Sequence, residues 1–331
     1  MDAMLRAMSA HVVVHPSRHE FFVDGADTIL DAALRSGLAL NYGCSNGNCG
    51  LCKARIVSGQ VQKVRHHDYV LSEAEKQQGY TLLCTHTAVG DLVVEAPESA
   101  EAGDIPAQQI VARVKAMQAL GDDLMSLHLQ TPRASRLRFL AGQSLTLTAG
   151  VASAQLPIAS CPCDDRNLHF HVARNGGGGF AQMVFGSLRV GDAVTLFGPW
   201  GDFVLRADSP RSILFLACDT GFAPIKSLIE HAMALELSER LHLYWLATRP
   251  AGHYLDNLCR SWADALDNFS YAPIAAEQCD GAELVRHIGA EHADLNAFDI
   301  YLAGPEAFIR PATIALREQG FPETQLIAAI L

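Results

Sequence analysis

Apolar residues follow three rhythms along the chain. Near the start, HVVVH (11–15) and EFFVD (20–24) are short β-branched and aromatic runs, which predict two strands with a turn between them. Asp27 stands where a helix cap belongs, ahead of Ile29, Leu30, Ala33 and Leu34, whose spacing gives a helix one apolar face. Beyond residue 52, KARIVSGQVQ reads as a strand with Gly59 as its turn, and YTLLC (80–84) and GDLVVEA (90–96) complete a compact mixed unit.

The second rhythm follows a polar, punctuated stretch, ESAEAGDIPAQQ (98–109), which predicts a linker. QIVARVKAM, LMSLHLQ, SLTLTAG, NLHFHVAR and DAVTLFGPWG are short strands with no long helix among them, the pattern of an antiparallel barrel. From Ser212 strands and helices alternate: ILFLA, APIKSLIEHAMALE, LHLYWLAT, YLDNLCRSWADAL, FSYAPI, AELVRHIG, FDIYLAG and PEAFIRPATIALREQG. That alternation predicts a parallel sheet covered on both faces, a nucleotide-binding architecture. The expected organisation is a multidomain α+β and α/β chain with units at residues 1–100, 105–208 and 209–331.

Composition adds limits. With 49% hydrophobic and 18% charged residues, the 331-residue chain has material for several cores. A formal net charge of −11 argues against a nucleic-acid-binding surface. The first residues, MDAMLRAMSAHVVV, lack a continuous apolar signal region, and ILFLAC is too short to cross a bilayer, so the expectation is a cytoplasmic protein without membrane insertion. Nine cysteines without an export signal read as thiols and metal ligands rather than a disulfide framework. Cys161 and Cys163 in CPC are accordingly expected to be structural thiols, and His66 and His67 to be solvent-facing loop residues.

CSNGNCGLC (44–52) carries the sharpest chemical signal. Structural zinc sites pair two short clusters, whereas here Cys44, Cys49 and Cys52 share one loop and Cys84 is remote. C-x4-C-x2-C with a distant fourth cysteine is the plant-type spacing for a two-iron, two-sulfide cluster. Gly43, Gly47 and Gly50 let the backbone wrap closely and aim amide donors at sulfur.

With TGFAPIKSLIEHA (220–232), YLDNLCRSWA and IYLAGPEAFI added to that loop, the chain resembles the ferredoxin-NADP reductase-like NAD(P)H oxidoreductases with an N-terminal ferredoxin domain. These include oxygenase reductase components and the CDP-deoxyhexose dehydrase reductase. The resemblance implies a β-grasp ferredoxin domain, a flavin-type barrel and a Rossmann-like nucleotide domain. It also implies electron flow from NADH or NADPH through FAD to a 2Fe–2S cluster and a redox partner such as an oxygenase or dehydrase. The flavin converts a two-electron hydride into the single electrons a cluster accepts.

Carried onto this sequence, the resemblance places the flavin against Pro157, Ile158, Ala159, Ser160, His171, Arg174, Gly178 and Gly179, and the nucleotide against Thr220, Gly221, Thr248, Arg249, Gly304 and Pro305. Several positions depart from the family pattern. Ala154, Leu156 and Pro157 stand where an arginine, a tyrosine and a serine contact flavin, and Ala181 replaces a serine of the next loop. Cys218 and Asp219 replace a glycine pair, with Asp219 a candidate cap for the following helix. Ala303 replaces a cysteine, and LIAAIL lacks a terminal aromatic. Two readings follow: a flavin and iron–sulfur reductase with an altered flavin site, or a flavin-free 2Fe–2S carrier on a reductase scaffold.

Overall fold

A computed structural model describes residues 9–175, 178–250, 252–277 and 280–331. The first sheet contains β1 (Ser9–His15), β2 (Glu20–Asp24), β3 (Lys53–Lys63), β4 (Tyr80–Leu82) and β5 (His86–Glu95) in the order β2-β1-β5-β3-β4. Only β1 and β5 pair in parallel. Helix α1 (Ile29–Arg35) buries Ile29, Leu30 and Ala33 against Val12, Val14 and Val94. Its cap is Thr28, whose Oγ1 accepts from Asp31 N at 3.1 Å, while the expected cap Asp27 pairs with Arg35. A hydroxyl one residue closer to the first turn takes the role, and the carboxylate is left for a cation one face along. Gly59 is no hairpin turn either: β3 runs through it, with register shifts on both sides of Ser58, and its φ of +96° fits a bulge. Helix α2 (Glu73–Gln77) starts with a reciprocal Ser72–Glu75 capping box.

The second sheet is antiparallel throughout. Its strands β6 (Gln108–Gly121), β7 (Leu124–Gln130), β8 (Ser144–Ala149), β9 (Ala152–Pro157), β10 (Asn167–Ala173) and β11 (Ala193–Trp200) take the order β10-β7-β6-β11-β8-β9. It curls into a half-barrel, and just beyond β9 the Ala159 N–H donates to His169 O at 2.8 Å, drawing the two edges together. Helix α3 (Gly178–Gly186) plugs the curl with Phe180, Ala181 and Val184. Its two leading glycines are poor helix formers, which hid it from the sequence pattern.

The third sheet is parallel: β12 (Ser212–Cys218), β13 (Leu241–Ala247), β14 (Phe269–Ala275), β15 (Phe298–Gly304) and β16 (Leu326–Ile330), ordered β14-β13-β12-β15-β16. Both faces of β12 are covered, which is why its residues are apolar without alternation. Phe215 and Ala217 meet α4 (Phe222–Ala234) and α5 (Asp256–Ala265), whereas Leu214 and Leu216 meet α6 (Gly281–Glu291) and α7 (Glu306–Glu318). The chain order reverses between β12 and β15, so a crevice opens at their carboxyl ends.

A polar joint fixes the first unit on the second. Tyr42 OH donates to Asp165 Oδ2 at 2.5 Å, and Arg136 bonds Asp165 at 2.5–2.8 Å and Asp31 at 3.1 Å. Arg138 reaches Asn41 and Ser99, and both guanidinium groups lie within 6 Å of the Tyr42 ring centre. Among the described residues no helix is long and apolar enough to cross a membrane.

Candidate functional site

Cys44, Cys49 and Cys52 stand on the loop between α1 and β3, and Cys84 follows β4. The four thiols meet as two pairs. Cys44 and Cys49 hydrogen-bond through their side chains, as do Cys52 and Cys84, and the first pair is more exposed than the second. The N–H groups of Asn48 and Cys49 donate to Cys44 Sγ at 3.3 Å, and those of Cys44 and Leu51 to Cys49 Sγ at 3.4 and 3.5 Å. Burial resists ionisation of Cys44, but amides from Asn46, Asn48 and Cys49 together lower its pKa. Burial raises that of its partner Cys49. The Cys84 thiol lowers Cys52, and the same bond raises Cys84. Each pair is thus built to carry negative charge on sulfur, although among the described residues no cationic side chain bonds to it.

This loop closes only with glycine at two positions. Gly47 sits at φ +83° and an added Cβ would lie 2.3 Å from His67 Cβ; Gly50 at φ +76° would strike the Tyr69 ring at the same distance. His67 is therefore half-buried, with Nδ1 on Tyr69 O at 2.9 Å, rather than a solvent-facing loop residue; His66 is exposed as expected. Among the described residues no three Cys, His, Asp or Glu side chains converge on a single ion. Two thiol pairs with amides aimed at sulfur fit a binuclear iron–sulfur cluster instead.

The crevice of the third sheet faces the half-barrel across a cleft of about 490 Å³. Pro157 and His171 form one wall and Thr220, Arg249 and Pro305 the other, with Ile330 and Leu331 closing an end. Such a volume suits a planar ring system. Burial lowers the His171 imidazole to about 3, so it is neutral, and its Nδ1 meets Tyr254 OH at 3.0 Å. Behind it Phe222 and Trp245 stack at 4.0 Å.

Other expected contacts lie outside this cleft. Ile158 and Ala159 are fully buried core residues, and the Ser160 hydroxyl accepts from His169 N at 3.2 Å. Arg174 bonds Asp122 O at 3.1 Å and lies over the Phe185 ring at 4.1 Å. Gly178 and Gly179 are exposed at the start of α3; Gly176 and Gly177 of the same glycine run lie outside the described residues. Gly221 and Gly304 serve close packing: a Cβ on Gly221 would fall 2.0 Å from Ala303 O, and one on Gly304 2.9 Å from Cys218 Cβ. The ring half of a flavin therefore has a seat, while Ala154 supplies no cation for its phosphates.

Asp219 does not cap α4. Its φ is +50°, and its carboxylate turns to β13, accepting from Thr248 N at 2.8 Å, Thr248 Oγ1 at 2.7 Å and Arg249 N at 3.2 Å. Arg249 in turn grips Asp123 of the half-barrel at 2.5 Å and so bridges two units. Asp123 lies 126 positions away and no local pattern announces it. The cysteine expectation also needs correction. Cys161 and Cys163 form a disulfide and Cys218 is disulfide-bonded too, leaving Cys44, Cys49, Cys52, Cys84 and Cys259 as free thiols among the described residues. The CPC turn brings its own sulfurs within bonding reach, which an even-odd count cannot reveal.

Residues 12–89 match the 2Fe-2S iron-sulfur cluster binding domain and residues 215–313 the oxidoreductase NAD-binding domain. The CDP-6-deoxy-L-threo-D-glycero-4-hexulose-3-dehydrase reductase of Yersinia pestis is 30% identical over 329 residues, spanning 97% of this chain and 98% of that one. The propane 2-monooxygenase reductase component of Gordonia sp. (strain TY-5) is 29% identical, spanning 93% and 92%. The crystal structure of the Amycolatopsis cytochrome P450 reductase GcoB matches with a TM-score of 0.61 at 23% identity, over 97% and 98% of the two chains. That last likeness is one of fold.

Proposed function

Because the chain belongs to the family of iron–sulfur reductases that includes the Yersinia dehydrase reductase, we propose that it takes electrons from NADH or NADPH and delivers them singly to a partner oxygenase or dehydrase component. The observation that carries this reading is the pair of thiol pairs beneath a shell of amide donors. Cys44 and Cys49 as one pair, and Cys52 and Cys84 as the other, would hold a 2Fe–2S cluster. The units 1–100, 105–208 and 209–331 divide the labour of partner contact, flavin seating and nucleotide binding. A cytoplasmic setting belongs to the same reading.

A flavin bound in the cleft would accept two electrons as hydride and release them one at a time. Pro157 and the neutral His171 imidazole would border such a ring, while Thr220 and Pro305 face them across the cleft. The chain's own contribution is to bring the two walls together and to shed water from between them. The Arg249–Asp123 ion pair and the Tyr42–Arg136–Asp165 joint hold the three units in one arrangement. The exposed Cys49 and the half-exposed Leu51 put the cluster loop at the surface, where a protein acceptor reaches it.

Steady-state assays with FAD-supplemented protein test this route. Wild type should reduce both cytochrome c, a one-electron acceptor, and a two-electron dye with NADH or NADPH. Cys84→Ser should lose the first activity and keep the second. Equal retention of both would remove the cluster from the electron path.

A further inference from the structure

Cys161, Pro162 and Cys163 lie on the turn from β9 to β10, and this turn packs against α1 of the first unit and α4 of the third. All three units therefore meet at one disulfide. A bridge spanning so few residues removes little entropy from the unfolded chain, so it adds little to folding stability. The neighbouring joint is already fastened by Asp165 with Tyr42 and Arg136. A purely structural role would thus be redundant.

The surroundings are those of a reacting sulfur. His231, in the last turn of α4, places Nδ1 3.9 Å from Cys161 Sγ. Burial lowers its pKa to about 4, so the ring is neutral and can offer an N–H to a thiolate without itself being ionised. The Cys163 N–H donates to Cys161 Sγ at 3.2 Å, a second stabiliser of charge there. Glu230 accepts from the Cys161 N–H at 3.2 Å, and its charge is matched by Lys226, which also donates to Ala159 O at 2.9 Å. Cys161 is buried, whereas Cys163 is partly exposed and lines a small cavity with His231 and Gly37.

We propose that Cys161 and Cys163 form a reversible dithiol–disulfide centre that exchanges electron pairs with small dithiols reaching the partly exposed Cys163 from solvent, with Cys163 the attacked sulfur and His231 positioning the Cys161 thiolate. In the reducing direction a thiolate of the dithiol attacks Cys163 Sγ, forming a mixed disulfide and breaking the Cys161–Cys163 bond. Cys161 leaves as a thiolate, stabilised by His231 Nδ1–H and the Cys163 amide, and is protonated from solvent. The second thiolate of the dithiol then attacks its own sulfur in the mixed disulfide, and Cys163 leaves and is protonated. Two electrons and two protons have passed from the dithiol, now a cyclic disulfide, to the cysteine pair.

The test uses the full chain with its cluster, equilibrated anaerobically in buffers of graded reduced and oxidised dithiothreitol, acid-quenched and alkylated. Mass spectrometry of the peptide containing residues 161–163 should show both cysteines modified or neither, shifting as a two-electron couple and reversing on reoxidation. A pair that stays unmodified until the protein is denatured, or is modified at every ratio, would overturn the proposal. With oxidised glutathione, Cys161→Ser should acquire one glutathione at Cys163 at least tenfold faster than Cys163→Ser acquires one at Cys161; equal rates would contradict attack at Cys163. His231→Phe should slow reduction about tenfold while His231→Asn keeps most of the rate, and no difference between them would remove His231 from the step. None of these readouts depends on NAD(P)H oxidation.

Discussion

The cluster loop and the cleft between the second and third units satisfy their polar groups in opposite ways. In the loop, backbone amides at residues 44, 48, 49 and 51 converge on sulfur, and among the described residues no side-chain cation bonds to it. That arrangement suits a metal cluster because the acceptors are thiols, which can ligate iron. In the cleft the chain has already paired its own charges: Asp219 takes the amides of Thr248 and Arg249, and Asp123 takes the Arg249 guanidinium. A ligand entering there competes with internal partners. The cluster loop is thus preorganised, whereas a ligand meeting Thr248 and Arg249 must first exchange contacts.

The largest effect should come from the loop. Replacing Cys49 with Ser should abolish the visible and paramagnetic signals of the cluster, whereas Cys259→Ser, at a buried thiol remote from the loop, should leave them intact. Iron and sulfide analysis of the two variants decides the matter. Next in size is the joint connecting the loop's unit to the cleft. Arg136→Met leaves the almost fully buried Asp165 carboxylate without its cation, and such a loss costs about 3–5 kcal/mol. Chemical denaturation should show that loss, and faster exchange of amides around Tyr42 would locate it.

The cleft predicts a smaller change of opposite sign. Asp219→Gly frees the Thr248 and Arg249 amides and removes a carboxylate from the expected pyrophosphate region. One charge-assisted hydrogen bond regained is worth about 1.5–3 kcal/mol, so KM for the nucleotide should fall at least about tenfold with kcat nearly constant. An unchanged or higher KM would show that the internal pairing is no obstacle.

Smallest is a pH effect. Burial lowers His171 to about 3 and His169 and His231 to about 4. An unfolded histidine protonates near 6.5, so between there and about 4 the unfolded chain binds protons that the folded chain refuses. Stability is complete above about 6.5 and declines as pH falls through that window. Asp31 adds a loss at lower pH: burial opposes ionisation, but Thr28, Arg65 and Arg136 together depress its pKa, so its contribution persists above the ordinary carboxylate range and vanishes below it. Thermal unfolding from pH 8 to 4 should show the histidine slope, reduced in His171→Asn; a flat profile would mean these rings are solvated.

What the sequence reveals divides along the same line. C-x4-C-x2-C is local, and the apolar runs of the third unit declare a sheet buried on both faces. The partners that matter elsewhere lie far apart in the chain: Tyr42 finds Asp165 123 residues on, and Arg249 finds Asp123 126 residues back. No periodicity encodes such pairings. Helix α3 was hidden by its glycines, and β16 by a short apolar tail that gains meaning only beside β15. Asp219 looked like a helix cap because caps are the common use of such a residue; only the left-handed turn of its backbone aims the carboxylate at β13.

The electron route from the cleft to the loop is tested most directly by one anaerobic spectrum. Protein with its cluster assembled and FAD supplied is mixed with NADH and, separately, NADPH, and the visible absorption is followed. Bleaching of flavin followed by cluster, with at least one nucleotide and only when FAD is present, is the predicted result. A cluster that both nucleotides leave oxidised would contradict the reductase assignment and leave an iron–sulfur carrier in its place.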